Sequence, residues 1–202
     1  MMVRGPGPGA AERDAMDMEI TNLEVKHDGF TRFLIAEVRG RDGGTVHREI
    51  EDHGRAVCVL PYDPARRHAI LIRQFRAPVF YASGQTQLLE AIAGLVEGPD
   101  PAACARREAL EEAGLMLNEL EHISTGWSMP GISTERMDLY LAPYREGDRV
   151  GPGGGLASEH EDITVVEVTL KKLAEMADRA EIADVKALLL VQTLRLRHPE
   201  LF

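Results

Sequence analysis

Basic residues and long apolar segments are both scarce in this chain of 202 residues. Lysine and arginine number 23 against 33 aspartate and glutamate residues, which gives a formal net charge of 23 − 33 = −10 at pH 7. Because nucleic-acid binding depends on basic surfaces that neutralise phosphates, this balance argues against a nucleic-acid-binding protein. No apolar run is long enough to cross a membrane. Residues 1–17 lack an apolar signal core, so we expect a disordered leader and a cytoplasmic protein.

Cysteine and tryptophan are scarce as well. The two cysteines, Cys58 and Cys104, do not suggest a disulfide framework, and we expect buried free thiols. The seven histidines show no metal-ligand spacing. The single tryptophan, Trp127, is expected to pack in the core, although it could instead stack on a nucleotide base. Hydrophobic residues make up 44% of the chain, which is enough for one well-packed domain.

Acidic residues are concentrated in one predicted helix, DPAACARREALEEAG, at residues 100–114. Asp100 can accept a hydrogen bond from a free backbone N–H, and Pro101 fits the first helical position. Gly114 can take a left-handed conformation and end the helix. These signals predict a helix of about three and a half turns between Asp100 and Gly114.

Three carboxylates, those of Glu108, Glu111 and Glu112, share one side of this helix. Arg107 lies four residues before Glu111 and can pair with it, so a solvated surface helix is one interpretation. Glutamates four residues apart repel each other unless a cation joins them, and Mg²⁺ prefers carboxylate oxygens. The spacing alone leaves both a solvated face and a divalent-metal site open.

The order of the remaining elements predicts an α+β protein. Three short strands are expected between residues 18 and 52, separated by the turn signals HDG and GRDGG. A strand pair around an Asp-Pro turn follows, and APVF is included in its second strand. TQLLEAIAG predicts one further strand, and the carboxylate helix, two strands, a glycine-rich connector, a strand and two helices complete the chain. A long connector inside a compact domain is typical of a functional loop.

The segment from Gly94 to Leu115, GLVEGPDPAACARREALEEAGL, resembles the Nudix box, the signature of Nudix hydrolases. The second half of the box pattern, Arg-Glu-apolar-x-Glu-Glu-x-Gly-apolar, matches at every fixed position from Arg107 onward. The first half departs from the pattern, because the segment before Arg107 is one residue shorter. Its acid is Asp100 or Glu97 rather than a glutamate in register. The departure lies in the loop before the helix and leaves the carboxylate helix intact.

The resemblance extends over roughly residues 45–195. AVCVLPYDPARRHAILIRQFR is similar to the strand pair of ADP-ribose and sugar-nucleotide pyrophosphatases, and Pro130 matches a proline that is usual in the ADP-ribose branch. The shortened box and Cys104 are most similar to the GDP-mannose-hydrolysing members. The resemblance implies a Nudix fold, an α/β/α sandwich with a mixed sheet, together with a small N-terminal β appendage.

The resemblance also implies roles for individual residues. Mg²⁺ (or Mn²⁺) would be held by the backbone carbonyl of Ala93 and by Glu108, Glu112 and Glu161. The catalytic residues would be the general base Glu159, the supporting acid Glu111 and the orienting Arg107. The residues on the substrate side would be Arg76, Glu135 and Pro130. Other interpretations stay open. Arg76 could be a charge at a sheet edge, and Glu135 could be a turn residue. The acids of the connector could form a solvated loop.

The implied function is divalent-metal-dependent hydrolysis of the pyrophosphate bond of a nucleoside diphosphate sugar, GDP-mannose or ADP-ribose. The alternative is a non-catalytic Nudix-fold domain that binds nucleotides or regulates, but such domains usually lose box carboxylates. A Nudix enzyme of another substrate class is a third possibility. We expect residues 18–52 to form a β-strand dimerisation region of a homodimer and residues 53–202 to form the Nudix domain. No nucleic-acid or membrane partner is expected.

Overall fold

The computed structural model describes residues 18–156 and 162–202, which divide into two compact units. The first unit contains the described residues up to His53 and the segment Met129–Glu135. The second unit comprises the rest of the described chain, Gly54–Ser128 and Arg136–Phe202.

The described residues of the first unit form a three-stranded antiparallel sheet in the order β1-β2-β3. The strands are β1 (Glu19–Asp28), β2 (Arg32–Arg39) and β3 (Thr45–Asp52). Leu34 and Ala36 of β2 are buried, whereas several apolar side chains of β1 are about half exposed. The three strands predicted from the sequence between residues 18 and 52 are therefore present.

The segment Met129–Glu135 attaches to this sheet beside β3. The backbone N–H of Glu51 donates a hydrogen bond to Ile132 O at 2.8 Å, and that of Thr134 donates to Glu51 O at 2.9 Å. The hydroxyl of Thr134 also donates to Asp52 Oδ1 at 2.8 Å. These residues are about 80 positions apart in the chain, so the pairing could not be anticipated from local sequence patterns.

The second unit contains a mixed sheet of seven strands among its described residues. The order is β10-β5-β4-β9-β8, with β6 paired to β5 and β7 paired to β4. Strands β4 and β9 run parallel, and the other pairs are antiparallel. The strands are β4 (Arg55–Asp63), β5 (His68–Gln74), β6 (Leu88–Glu90), β7 (Ile92–Leu95), β8 (Glu121–Trp127), β9 (Arg136–Pro143) and β10 (Thr164–Thr169).

Helices lie against both faces of this sheet. The α-helices of the described residues are α1 (Ala77–Ser83), α2 (Pro101–Ala113), α3 (Leu170–Asp178) and α4 (Val185–Arg197). Short 3₁₀ turns span Glu146–Asp148 and Pro199–Leu201. One buried apolar cluster joins the sheet to α2, and the other joins it to α3 and α4. This α/β/α arrangement with a separate N-terminal sheet confirms the predicted fold class.

Two predicted elements differ from the structure. APVF was expected in a strand but begins α1, where a proline fits the first turn and Gly84 ends the helix at φ 75°. TQLLEAIAG was expected to form one strand but forms two, β6 and β7, because the ladder changes its partner at Ala91. None of the helices in the described part of the chain is long and apolar enough to span a bilayer.

Candidate active site

Helix α2 begins and ends where its sequence signals predict. The carboxylate of Asp100 accepts a hydrogen bond from Ala102 N–H at 2.9 Å, and Pro101 follows in the first turn. Gly114 adopts a left-handed conformation with φ 67°, and its N–H donates to Leu110 O at 3.0 Å. Alanines on the other side of the helix pack on the sheet, which fixes the direction in which the glutamates project.

Arg107 joins two of the carboxylates of α2. Its Nη2 donates to Glu108 Oε1 at 2.7 Å, and its Nη1 donates to Glu111 Oε2 at 2.8 Å. Burial alone would lower the pKa of Arg107, but the two glutamates outweigh it and raise this pKa, so the guanidinium stays charged. Together with Glu112, these residues form what we call the box group: Arg107, Glu108, Glu111 and Glu112.

Gly94 of β7 provides the space that the carboxylate of Glu108 occupies. A Cβ atom at position 94 would lie 2.1 Å from both Cδ and Oε1 of Glu108, closer than any such contact allows. Glu108 is only 9% exposed in this position. The thiol of Cys104 lies beside it, with Sγ 3.8 Å from Glu108 Oε1, and donates to Leu95 O at 3.2 Å. Cys104 and Cys58 are both free and buried, as predicted.

Glu112 connects α2 to the residue of β7 whose carbonyl was predicted to bind metal. Its Oε2 accepts a hydrogen bond from Ala93 N–H at 3.3 Å, and the side chain is 2% exposed. Carboxylates and a backbone carbonyl are the oxygen donors that Mg²⁺ uses, so the residue types at this place fit a hard cation. Among residues 18–156 and 162–202, however, no three His, Cys, Asp or Glu side chains are grouped as a ready metal site. The metal assignment stays a prediction.

Arg76, which we predicted on the substrate side, forms a two-point ion pair with Glu90. Its Nε donates to Oε1 at 2.9 Å and its Nη2 to Oε2 at 3.1 Å. The side chain of Glu90 is 3% exposed and that of Arg76 is 43% exposed. Burial lowers the pKa of Arg76, but its hydrogen bonds to Glu90 and the charge of Glu90 raise this pKa by more. Arg76 is therefore a fixed cation with one solvent-accessible side.

Residues 151–155 of the glycine-rich connector pack against the C-terminal end of α2. The N–H groups of Gly154 and Gly155 donate to the carbonyls of Glu112 and Glu111 at 2.9 and 3.1 Å. Gly153 has φ 70°, and a Cβ atom there would lie 2.4 Å from Glu112 O. These glycines allow two backbones to approach closely and satisfy carbonyls at the end of the helix.

The other predicted site residues are distributed differently. Glu159 and Glu161 lie outside the described residues. Pro130 and Glu135 belong to the first unit, where Glu135 N–H donates to Ser133 Oγ at 3.1 Å. Their predicted roles are untested by this geometry. Trp127 is 59% exposed at the end of β8, so the expectation that it packs in the core is wrong.

Two contributors to the site were missed from the sequence, Gly94 as the space for Glu108 and Glu90 as the partner of Arg76. Glu90 carried a signal, because an acid inside the apolar segment LLEAIA must find a cation or a hydrogen-bond donor if it is buried. Gly94 was recognised as part of the box pattern, but its contact depends on how closely β7 and α2 pack. The separation between β7 and α2 cannot be predicted from the local sequence.

Comparison with known proteins gives these residues a family context. A family model described as the NUDIX domain matches residues 52–194. The chain belongs to the Nudix family of hydrolases. The prediction made from the box is therefore confirmed, and the matched residues include every member of the box group.

Curated relatives of this Nudix chain align over most of its length. The GDP-mannose pyrophosphatase of Cronobacter sakazakii is 35% identical over 188 residues, 91% of this chain and 97% of the relative. That of Salmonella arizonae is 34% identical over 170 residues, 83% of this chain and 88% of the relative. A crystal structure of an ADP compounds hydrolase superposes with a TM-score of 0.68 at 21% identity, covering 91% and 96% of the two chains. At this identity the superposition supports the shared fold.

Proposed function

We propose that this Nudix hydrolase cleaves the pyrophosphate bond of a nucleoside diphosphate sugar, GDP-mannose or ADP-ribose. The products would be a nucleoside monophosphate and a sugar phosphate. The observation that carries the proposal is the complete carboxylate helix, with Glu112 bonded to Ala93 and with Glu108 packed over Gly94. The two relatives named GDP-mannose pyrophosphatase support the substrate class. A non-catalytic domain is disfavoured, because such domains usually lose these carboxylates.

The side chains of Glu108 and Glu112 and the carbonyl of Ala93 would hold Mg²⁺ (or Mn²⁺). When bound, such a cation neutralises the diphosphate and activates water for attack on phosphorus. Arg107 would keep the carboxylates of Glu108 and Glu111 in place, as its contacts of 2.7 and 2.8 Å indicate. Holding these groups in one geometry before the substrate arrives reduces the reorganisation that the reaction requires.

Arg76 would bind the phosphates through the N–H groups that Glu90 does not use. A guanidinium has five N–H donors, and Glu90 accepts from two nitrogens of Arg76. The exposed side of Arg76 therefore retains donors for an anionic ligand. Pro130 and Glu135 are proposed on the substrate side by family resemblance alone.

The general base is proposed from the sequence. A carboxylate close to the attacking water is needed to accept its proton, and the box acids are poorly suited if they hold metal. Glu159 would serve as this base, and Glu161 would support the metal. Gly154 and Gly155, which precede them in the chain, donate to the carbonyls of Glu112 and Glu111.

We also propose a cytoplasmic homodimer formed through residues 18–52. Ile20, Leu23 and Val25 of β1 are 53%, 49% and 46% exposed, and a second subunit would remove this apolar surface from water. Sedimentation at micromolar concentration tests the assembly. A fully active monomer would contradict it.

The function is tested with a hydrolysis panel of GDP-mannose, ADP-ribose, other sugar nucleotides and dinucleoside polyphosphates, with the products identified. We expect turnover of a nucleoside diphosphate sugar that requires Mg²⁺ or Mn²⁺ and that EDTA abolishes. Cleavage of dinucleoside polyphosphates in preference to every sugar nucleotide would contradict the substrate class. Activity that survives complete chelation would contradict the metal role.

A further inference from the structure

An ionic network with buried acids holds the β6–β7 segment at Glu90 and Ala91. It comprises Arg76, Glu90, Asp184 and Lys186, and we call it the Asp184 network. The two acidic side chains are 3% and 4% exposed. Two acids and two bases balance in charge, which is the usual condition for burying such groups.

Asp184 holds the backbone at the point where the sheet ladder changes its partner. Its Oδ2 accepts a hydrogen bond from Ala91 N–H at 3.3 Å, although 93 residues separate the two in the chain. The same carboxylate caps α4, because it accepts from the N–H groups of Lys186 and Ala187 at 3.1 and 3.2 Å. Asp184 therefore joins the start of α4 to the residue between β6 and β7.

Lys186 links Asp184 to Glu90. Its Nζ lies 2.7 Å from Asp184 Oδ1 and 3.9 Å from Glu90 Oε2. Burial lowers the pKa of Lys186, but its pairing with Asp184 outweighs burial and raises this pKa. Glu90 then holds Arg76 through the two-point pair, so the contacts run without interruption from α4 to Arg76.

The same backbone segment continues directly into the active site. Ala93 is two residues after Ala91, and its N–H donates to Glu112 at 3.3 Å. The segment 90–93 is therefore held at Ala91 by Asp184 and at Ala93 by Glu112 of α2. A shift of Ala91 would move Ala93, and a shift of Glu90 would move Arg76.

We propose that Asp184 and Glu90 are positioning residues of this enzyme: Asp184 sets the Ala93 carbonyl through the backbone, and Glu90 sets the guanidinium of Arg76. The inference rests on the proposed function, since it assigns Ala93 to the metal and Arg76 to the phosphates. Neither positioning residue needs to contact the substrate. Outer residues that orient ligands in this way typically change metal affinity by about 10–100-fold when they are replaced.

The first test replaces Asp184 with serine. Serine is a good helix cap but has one oxygen, so it can keep a cap on α4 while losing the bond to Ala91. We expect the affinity for Mn²⁺, measured without substrate from the electron paramagnetic resonance of free Mn²⁺, to weaken about 10-fold. Hydrogen exchange of the segment 88–95 should also become faster.

The matched control is Thr169→Ala, which removes the cap of the neighbouring helix α3. Thr169 Oγ accepts from Lys172 N–H at 3.1 Å, and Thr169 takes no part in the Asp184 network. This variant should lower the melting temperature but leave Mn²⁺ affinity and exchange at 88–95 unchanged. If D184S and T169A lose stability alike and neither changes exchange at 88–95, Asp184 is only a cap and the inference is wrong.

The second test replaces Glu90 with glutamine, which keeps the shape and removes the charge. Arg76 would lose its two-point partner, so we expect KM to rise about 10-fold while Mn²⁺ affinity changes less than in D184S. Lys186→Arg should retain the wild-type KM and Mn²⁺ affinity, whereas Lys186→Met should retain neither. An unchanged KM in E90Q would overturn the role assigned to Glu90.

The exchange measurement separates this inference from the proposed function. If D184S loosens the segment 88–95 but the wild type cleaves no sugar nucleotide, the network stands and the substrate class fails. If the wild type cleaves its substrate and D184S changes neither exchange nor Mn²⁺ affinity, the function stands and the network fails.

Discussion

The box group and the Asp184 network differ in their charge balance and, for two of the three box acids, in burial. The box group has three carboxylates and one arginine; the side chains of Glu108 and Glu111 are 12% and 23% exposed, and Glu112 is 2% exposed. The Asp184 network has two acids and two bases, and its acids are almost fully buried. A charge-balanced network can hold backbone in place, whereas a group with excess negative charge can accept a cation. We therefore assign a positioning role to the Asp184 network and a cation-binding role to the box group, both within the second unit.

The largest effect is expected from Glu112→Gln, which removes charge from the box group and keeps the side-chain shape. Because a carboxylate ligand would be lost, turnover with Mg²⁺ should fall by about 100-fold or more. The amide can still accept the bond from Ala93, so the urea midpoint should change little. Glu119→Gln, at an exposed position, is the matched control. Near wild-type activity in E112Q would show that the carboxylates of α2 are structural.

The next effect is expected from Glu159→Gln. If Glu159 accepts the proton of the attacking water, turnover at neutral pH should fall by about 100-fold, with partial recovery as the hydroxide concentration rises. The affinity for substrate should be nearly unchanged. Glu161→Gln should instead raise the metal concentration needed for half-maximal rate. Full activity in both variants would direct the search for the base to Glu135.

Gly94→Ala tests whether the position of Glu108 matters as much as its charge. The added methyl would overlap the carboxylate of Glu108, so this side chain must move. We expect turnover to fall about 10-fold or more and stability to fall by about 1–3 kcal/mol, as in other overpacked sites. Gly126→Ala is the control, because a Cβ atom there meets nothing within 4 Å. Equal activity in the two variants would contradict this role of Gly94.

The smallest effect concerns a second balanced pair, Arg55 and Asp138, which is remote from both groups in sequence. Asp138 is 6% exposed and accepts from Thr125 Oγ at 2.6 Å and from Arg55 Nη2 at 2.9 Å. Burial would raise the pKa of Asp138, but these donors outweigh it and lower this pKa below its usual value of 3.8. The folded state thus favours the ionised carboxylate.

This pair contributes stability at neutral pH that disappears in acid. Since the folded pKa of Asp138 is lowered, its contribution is present above the unfolded pKa and is lost as the pH falls through the folded pKa. Asp138→Asn should reduce the free energy of unfolding by about 1–2 kcal/mol at pH 7. The difference from wild type in urea unfolding should shrink below about pH 4. A difference that is independent of pH would contradict the assignment.

Local signals in the sequence determined the carboxylate helix α2. Asp100, Pro101 and Gly114 set the ends of α2, and the spacing of its glutamates placed them together, because both depend on backbone geometry within a few residues. The order of strands and the family were also readable, since alternation and the box pattern are properties of short segments. The change of strand partner at Ala91 and the start of α1 were not readable from the sequence. Both depend on the surrounding sheet, which decides where β6 and β7 pair and where α1 begins.

Contacts between distant segments were decided only by the tertiary structure. Asp184 meets Ala91 across 93 residues, Gly153 packs on the end of α2, and Trp127 stays exposed. The first two outcomes depend on the separation of two backbones, a distance of a few ångströms that the folded sheet sets and that no local pattern encodes. The sequence by itself determined which carboxylates share a helix face. The packing of β7 decided that Gly94 and Ala93 lie against them.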